Sequence, residues 1–288
     1  MESHDCKPSS YCLNDTLTIQ SHNPPPQIPR KWDQSLSPTE LCLQNPPLSG
    51  SDGNSFVSIK LSEELQIGLN KRSQIFVVKC VNSLNSSSTP TDQDLGAKIY
   101  DPFYHDFEFD DEDSFFRADY EYTHEYAAYI HLSDLQGSVI PRFFGSCTLK
   151  IEIDKYFRLV RLILVENIDG LSMDRLNPEE ILMEERQHIM KPIVDGESSH
   201  YTRNVMVKGS DAKMPRIVII DLGMSVTGRS RNPSDNRDES RYFPGVAISP
   251  LLRWNIYYRR HAFTWLKEKR TVWLNYDRMR EMKPPLPI

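Results

Sequence analysis

The chain has 288 residues, of which 39% are hydrophobic and 26% are charged, and its formal net charge is −6. This composition predicts a soluble globular protein with one large domain or two small ones. The acidic balance argues against a nucleic-acid binder, and no apolar stretch approaches the roughly 20 residues that span a bilayer, so we expect neither nucleic acid nor a membrane as a partner.

The first part of the chain is predicted to be a disordered tail. Residues 1–55 are rich in Pro, Ser and Asn, and two proline runs, at 24–26 and 46–47, interrupt regular structure. Such a tail is one place where a protein partner could dock. The acidic, polar N-terminus has no apolar signal segment, and the 5 cysteines include no Cys-x-x-Cys pair. We therefore expect a cytoplasmic or nuclear protein with reduced thiols.

From residue 56 onward the hydrophobic pattern alternates between strand and helix periods. The pattern predicts strands over 56–65, 74–81, 97–100, 143–153, 159–166, 205–207 and 216–220. It predicts helices over 118–135, 178–201 and about 254–280, with a kink or break at Pro192 in the second. Strands come first and most helices later, which favours an α+β fold.

The tripeptide Asp221-Leu222-Gly223 follows a run of β-branched residues. Asp and Gly are common turn residues, so the simplest interpretation is a turn at the end of a strand. An Asp-x-Gly at this position is also where kinases hold a metal ion against nucleotide phosphates.

Further stretches, taken in order, resemble the protein kinase-like families common in fungal genomes. They are residues 97–102, 125–129, 135–137, 140–145, 160–166, 186–191, 203–205 and 221–223. The resemblance implies a bilobal protein kinase-like fold of the α+β class, with a β-rich small lobe and a shortened helical large lobe. The implied domains are the tail at 1–55, the small lobe and hinge at 56–168, and the truncated large lobe at 169–288.

The resemblance also implies a site for ATP and Mg²⁺. Lys98 would contact the α- and β-phosphates, and Glu125 would pair with Lys98. Asp221 would bind one Mg²⁺ and Asn204 a second. Each has an ordinary alternative: a surface lysine, a solvated helix carboxylate, a turn aspartate and a turn-capping asparagine.

Two further parts of a nucleotide site are implied less distinctly. Gly68, Asn70 and Ser73 stand where a kinase has three phosphate-cradling glycines, so only one Gly remains. Glu166 and Ile168 would offer the backbone hinge that receives the adenine edge.

The catalytic loop departs from the kinase pattern. Counting back five residues from Asn204 places Ser199 where the catalytic Asp belongs, so no catalytic residue is assigned. The sequence resembles one from which about ten residues were deleted before Arg203. We therefore predict a pseudokinase, or a regulatory or scaffolding module, with weak Mg-ATP binding at most. The alternative is an active serine/threonine kinase whose loop is missing from this gene model.

Overall fold

The computed structural model describes residues 11–26, 47, 49–69, 71–84, 93–104, 114–153, 156–176, 204–209 and 216–223. Six strands dominate its first part: β1 (Thr16–Asn23), β2 (Ser51–Gln66), β3 (Gln74–Leu84), β4 (Asp94–Tyr100), β5 (Phe143–Ile153) and β6 (Tyr156–Glu166). One α-helix, α1 (Ser114–His131), lies between β4 and β5 in the described chain.

The six strands form a closed antiparallel barrel in the order β1-β2-β3-β4-β6-β5. Strand β1 closes it by pairing with both β2 and β5. Ile19 lies opposite Val57 on one side and opposite Leu149 on the other. Closure leaves neither β2 nor β5 as an open sheet edge, which removes a site for unwanted strand pairing.

The barrel interior is filled by alternate residues of its strands, as the period of two requires. On β4 these are Leu95, Ala97 and Ile99, and each is fully buried. The other strands contribute the remaining interior residues: Ile19, Val57, Ile59, Leu61, Phe76, Val78, Cys80, Cys147, Leu149, Val160, Leu162 and Leu164.

Helix α1 covers the outer face of β4 and β6. Tyr122 and Tyr129 on the helix pack with Tyr100 of β4 and Ile163 of β6. These two strand residues alternate with the interior ones and therefore point out of the barrel. The apolar residues of the helix recur every three or four positions, which gives it one buried face. An i, i+4 ion pair between Arg117 and Glu121 adds to helix stability.

The remaining described elements include three short strands, β7 (Leu171–Ser172), β8 (Val205–Lys208) and β9 (Arg216–Ile219), which form a sheet in that order. The chain divides into two compact units. The first comprises residues 1–169 and 218–229, and the second comprises 170–217 and 230–288. The boundary lies within β9, so residues 221–223 belong to the unit that contains the barrel.

The predicted bilobal kinase-like fold with a helical large lobe is wrong. The described residues are mostly β-strand, with a closed six-stranded antiparallel barrel and one α-helix. The physical reason is the additional strand β1, which pairs with both outer strands and closes the sheet. In the second unit the described elements are short strands and a 3₁₀ turn.

The prediction of a disordered tail over residues 1–55 is wrong for Thr16–Asn23, which is β1, and β2 begins at Ser51. Ile19 and His22 are its buried residues, and the other positions are polar or only partly covered, so the strand has little hydrophobic period. The predicted strand over 143–153 is confirmed. The helices expected over 178–201 and 254–280 lie outside the described residues.

A polar cluster on the outer face connects the closing strand to its neighbours. His22 of β1 lies 2.8 Å, Nδ1 to Oδ1, from Asp52 of β2. Asp52 also accepts a hydrogen bond of 3.2 Å from Thr148 of β5, and Arg161 of β6 donates to Thr148. The Tyr122 ring stacks on the His22 ring with centroids 6.2 Å apart. Four strands and the helix therefore meet at His22.

The buried imidazole makes barrel stability depend on pH. Burial lowers the pKa of His22, Arg161 lowers it further, and Asp52 opposes both, so the folded-state pKa lies below its usual value. The contribution of His22 to stability is therefore complete above the unfolded pKa of about 6.5 and is lost as the pH falls through the folded pKa. As the pH is lowered from about 8 to about 5, the unfolding free energy of His22→Gln should therefore fall less than that of the parent.

The measurement is urea unfolding at several pH values. His131→Gln is the matched control, because it makes the same replacement at an exposed histidine. A His22→Gln protein whose stability falls with pH as steeply as the parent would contradict this account of the cluster.

Candidate functional site

Lys98 lies on the outer face of β4, beneath helix α1. The strand alternates, so its neighbours Ala97 and Ile99 point into the barrel and Lys98 points out. It is flanked by Ile75 on β3 and Ile163 on β6. Its side chain is only 9% exposed, which makes it a buried ammonium and not the edge-strand surface lysine of the alternative interpretation.

Helix α1 supplies the first partner of this ammonium. Glu125 Oε2 accepts a hydrogen bond from Lys98 Nζ at 2.6 Å and one from the Tyr100 hydroxyl at 2.5 Å. The Glu125 side chain is 2% exposed. Because Tyr122 and Tyr129 lie on the same side of the helix, packing of these rings directs Glu125 towards the sheet.

Asp221, just after β9, supplies the second partner. Its Oδ1 lies 2.6 Å from Lys98 Nζ, and its side chain is 45% exposed. The backbone of Asp221 has φ of +62°, a left-handed conformation that is uncommon for a residue with a side chain. Leu222 is buried behind it and directs its N–H towards Glu125 Oε1 at 3.4 Å.

The three charged groups are far apart in sequence but in contact in space. Lys98 and Glu125 are 27 residues apart, and Lys98 and Asp221 are 123 apart. The predicted approach of these side chains is confirmed by the two 2.6 Å contacts. We call Lys98, Glu125 and Asp221 the ammonium cluster.

Burial and charge act in opposite directions on the ammonium. Burial lowers the pKa of Lys98, but the carboxylates of Glu125 and Asp221 raise it more, so Lys98 stays charged. Burial raises the pKa of Glu125, against the attraction of Lys98, and Asp221 raises it further. Burial and the Glu125 carboxylate also raise the pKa of Tyr100, so its hydroxyl remains a hydrogen-bond donor.

The loop between β2 and β3 does not present its glycine amide to a ligand. Gly68, with φ of +120°, donates its N–H to Gln74 Oε1 at 2.8 Å and accepts from Gln74 Nε2 at 3.2 Å. Gln74 is fully buried, so this amide clamp is held in place. The Gly68 amide would have to leave Gln74 before it could contact phosphate. Ser73 is also buried, and Asn70 lies outside the described residues.

The remaining predicted site residues lie elsewhere along the chain. Glu166 ends β6, and its N–H donates to Arg142 O at 2.8 Å, while Ile168 follows in irregular structure. Asn204 directly precedes β8 in the second unit. Ser199 lies outside the described residues. The hinge, second-metal and catalytic-loop assignments therefore stay predictions.

Sequence reasoning missed three residues around the ammonium cluster. Tyr100 is two positions after Lys98 and so shares its face of β4, and Glu121 is one helical turn before Glu125. Both spacings were visible in the sequence as same-face relations. Arg72, which reaches Glu121 at 3.1 Å, had no local signal because 49 residues separate the two.

No family model matches the chain, and no curated protein matches it. The resemblance to fungal kinase-like families therefore stays a prediction. Within the part of the chain that the structure describes, no helix has the length and apolar character needed to cross a bilayer. The same residues contain no cluster of three or more His, Cys, Asp or Glu side chains suited to a metal ion.

The buried ion pair predicts a large cost for removing its lysine. Lys98→Met leaves Glu125 buried without its cation, so we expect a loss of about 3–5 kcal/mol in unfolding free energy. The control is Lys79→Met, because Lys79 pairs with Asp94 at 3.6 Å with side chains 62% and 49% exposed. That exposed pair should contribute only about 0–1 kcal/mol.

Chemical denaturation at neutral pH measures both losses. Lys98→Met combined with Glu125→Gln should recover part of the stability, because the uncompensated carboxylate is then removed. Equal losses for Lys98→Met and Lys79→Met would show that Lys98 is not buried against Glu125 in solution.

Proposed function

We propose that this protein is a regulatory binding module that binds a magnesium-bound nucleotide, such as Mg-ATP, weakly at the ammonium cluster and does not transfer its phosphate. The observation that supports this most is the single ammonium held between a buried helix carboxylate and a half-exposed carboxylate after a strand. In kinases a strand lysine paired with a helix glutamate contacts the phosphates, and a post-strand aspartate binds Mg²⁺. The proposal concerns the site and not the fold.

The exposed fractions of the two carboxylate side chains fit two different roles, holding Lys98 and binding Mg²⁺. Glu125, at 2% exposed, is positioned to hold Lys98, whereas Asp221, at 45%, has an oxygen within reach of solvent and of a cation. With both carboxylates ionised the cluster has one negative charge in excess, which favours Mg²⁺. Mg²⁺ is usually held by one or two carboxylates together with phosphates and water, so a dense protein ligand cluster is not required.

The contacts to the adenine base are proposed from the positions of backbone groups at the end of β6. Strand β6 ends at Glu166, which lies opposite Leu95, three residues before Lys98 on β4. A nucleotide whose phosphates lie at Lys98 would therefore extend its base towards this end of β6. The backbone of Glu166 and Ile168 at this end of β6 is the proposed contact of the adenine edge, and the Glu166 N–H would have to leave Arg142 O to take part.

Absence of phosphoryl transfer is proposed from the sequence of the catalytic loop. By the spacing of the kinase pattern, counted back five residues from Asn204, Ser199 stands where the carboxylate that orients the substrate hydroxyl belongs. Without a base, binding can persist while chemistry is lost, which suits a regulatory or scaffolding role. We propose a cytoplasmic or nuclear location and a protein partner that senses the nucleotide-bound form.

Mg-ATP should stabilise the protein through Asp221. At ten times its dissociation constant a ligand adds about 1.4 kcal/mol to the unfolding free energy, and millimolar Mg-ATP should therefore raise the melting temperature by several degrees. Asp221→Asn should abolish the shift, and so should EDTA. Asp94→Asn is the matched control, since the Asp94 side chain is 49% exposed and lies on the barrel surface. No shift and no calorimetric heat with the parent protein would remove the nucleotide proposal.

The purified chain should not phosphorylate a peptide or itself. A missing positioning carboxylate lowers the transfer rate by about 10²–10⁴. The measurement is transfer of radiolabelled γ-phosphate at saturating Mg-ATP. Transfer that disappears in Asp221→Ala would establish an active kinase and contradict the non-catalytic role.

A further inference from the structure

An ion pair links the loop between β2 and β3 to helix α1, which supplies Glu125 of the ammonium cluster. Arg72 on this loop contacts Glu121 Oε1 through its guanidinium at 3.1 Å. Glu121 is 4% exposed and lies one turn before Glu125 on the same face of α1. A Cβ placed on Gly223 would lie 3.4 Å from Glu121 Cβ and 3.5 Å from Glu125 Oε2. Glu121 and Glu125 of the ammonium cluster therefore both lie next to Gly223.

Glu121 is paired with two arginines, and only one of them is needed. Arg117 Nε lies 2.7 Å from the same Oε1 atom, within the same helix. The Arg117 side chain is 15% exposed, whereas the Arg72 side chain is 57% exposed. If Arg72 moved away, Glu121 would keep a charged partner, so the large cost of a buried unpaired carboxylate would not arise.

Arg72 is a cation of this loop that already reaches helix α1, and a guanidinium suits phosphate. The Gly68 amide is occupied by Gln74, and the Lys71 carbonyl accepts from the same Gln74 side chain at 3.4 Å, so these two backbone groups already have partners. Side chains one turn apart on a helix have Cβ atoms about 6 Å apart. Arg72 and Lys98, which contact Glu121 and Glu125, thus approach the helix at neighbouring positions.

We propose that Arg72 is a second phosphate-binding residue of this site, beside Lys98, and that it exchanges between Glu121 and the terminal phosphates of a bound nucleoside triphosphate. This inference rests on the proposed nucleotide function. The guanidinium replaces the loop amides of a glycine-rich cradle, since Arg binds phosphate through two parallel N–H donors. Glu121 competes with the ligand for Arg72, and this competition is one cause of weak binding.

The proposal predicts opposite effects for the two partners. Calorimetry with the full chain should show that Arg72→Gln weakens Mg-ATP binding about tenfold, the loss of one charge-assisted contact. Glu121→Gln should strengthen Mg-ATP binding, because Arg72 is then released. The double variant should resemble Arg72→Gln alone. Binding of adenosine, which lacks phosphates, should be the same in the parent and all variants.

Lys71→Gln is the control for general charge, because Lys71 is an exposed cation on the same loop. Equal weakening by Lys71→Gln and Arg72→Gln would overturn the proposal, as would an Arg72→Gln protein that binds Mg-ATP like the parent. In either case, loss of binding in Asp221→Asn would leave the nucleotide function intact. A parent protein that binds no Mg-ATP would overturn both. If Glu121→Gln does not fold, the comparison of Arg72→Gln with Lys71→Gln decides whether the proposal holds.

Discussion

The buried ammonium of Lys98 is the point on which three separate parts of the chain converge. The barrel provides the strand that holds it, helix α1 provides Glu125, and the turn after β9 provides Asp221. A charge with so little exposure is tolerated only when it is paired, and removal of Lys98 would leave the buried Glu125 carboxylate without its cation, which is costly. The packing of Tyr122 and Tyr129 and the closed strand order can therefore be understood as the support for one ion cluster.

Two kinds of interaction maintain that support. The interior of the barrel is apolar and fixes the strand register, which decides that Lys98 points towards the helix and not into the barrel. Outside the barrel interior, polar contacts connect particular elements, with His22 and Asp52 at the closing strand and Gln74 at the β2–β3 loop. The apolar interior sets where the ammonium cluster forms, and the polar contacts set which nearby groups remain able to exchange partners. Arg72 is such a group, because Glu121 retains Arg117.

Local patterns predicted most of the barrel strands, because each has a period of two over several residues. The contact of Lys98 with Glu125 and Asp221 was also predictable, but only through resemblance, since no local rule brings together residues 27 and 123 positions apart. Strand β1 was missed because only two of its side chains are buried and prolines follow it directly. The fold prediction failed for the same reason: the closing strand changes an open sheet into a barrel. The role of Gln74 was missed because a buried amide that binds its own loop leaves no sequence pattern.

The central claim is that Lys98 is a buried ammonium held by two carboxylates. Carbon-13 NMR of the lysine ε-methylene groups tests it directly, with the Lys98 signal assigned by its absence in Lys98→Arg. This signal should stay at its charged position as the pH rises through about 10.4, the usual pKa of a lysine in water. A Lys98 signal that titrates together with the exposed lysines would contradict the cluster and every role proposed for it.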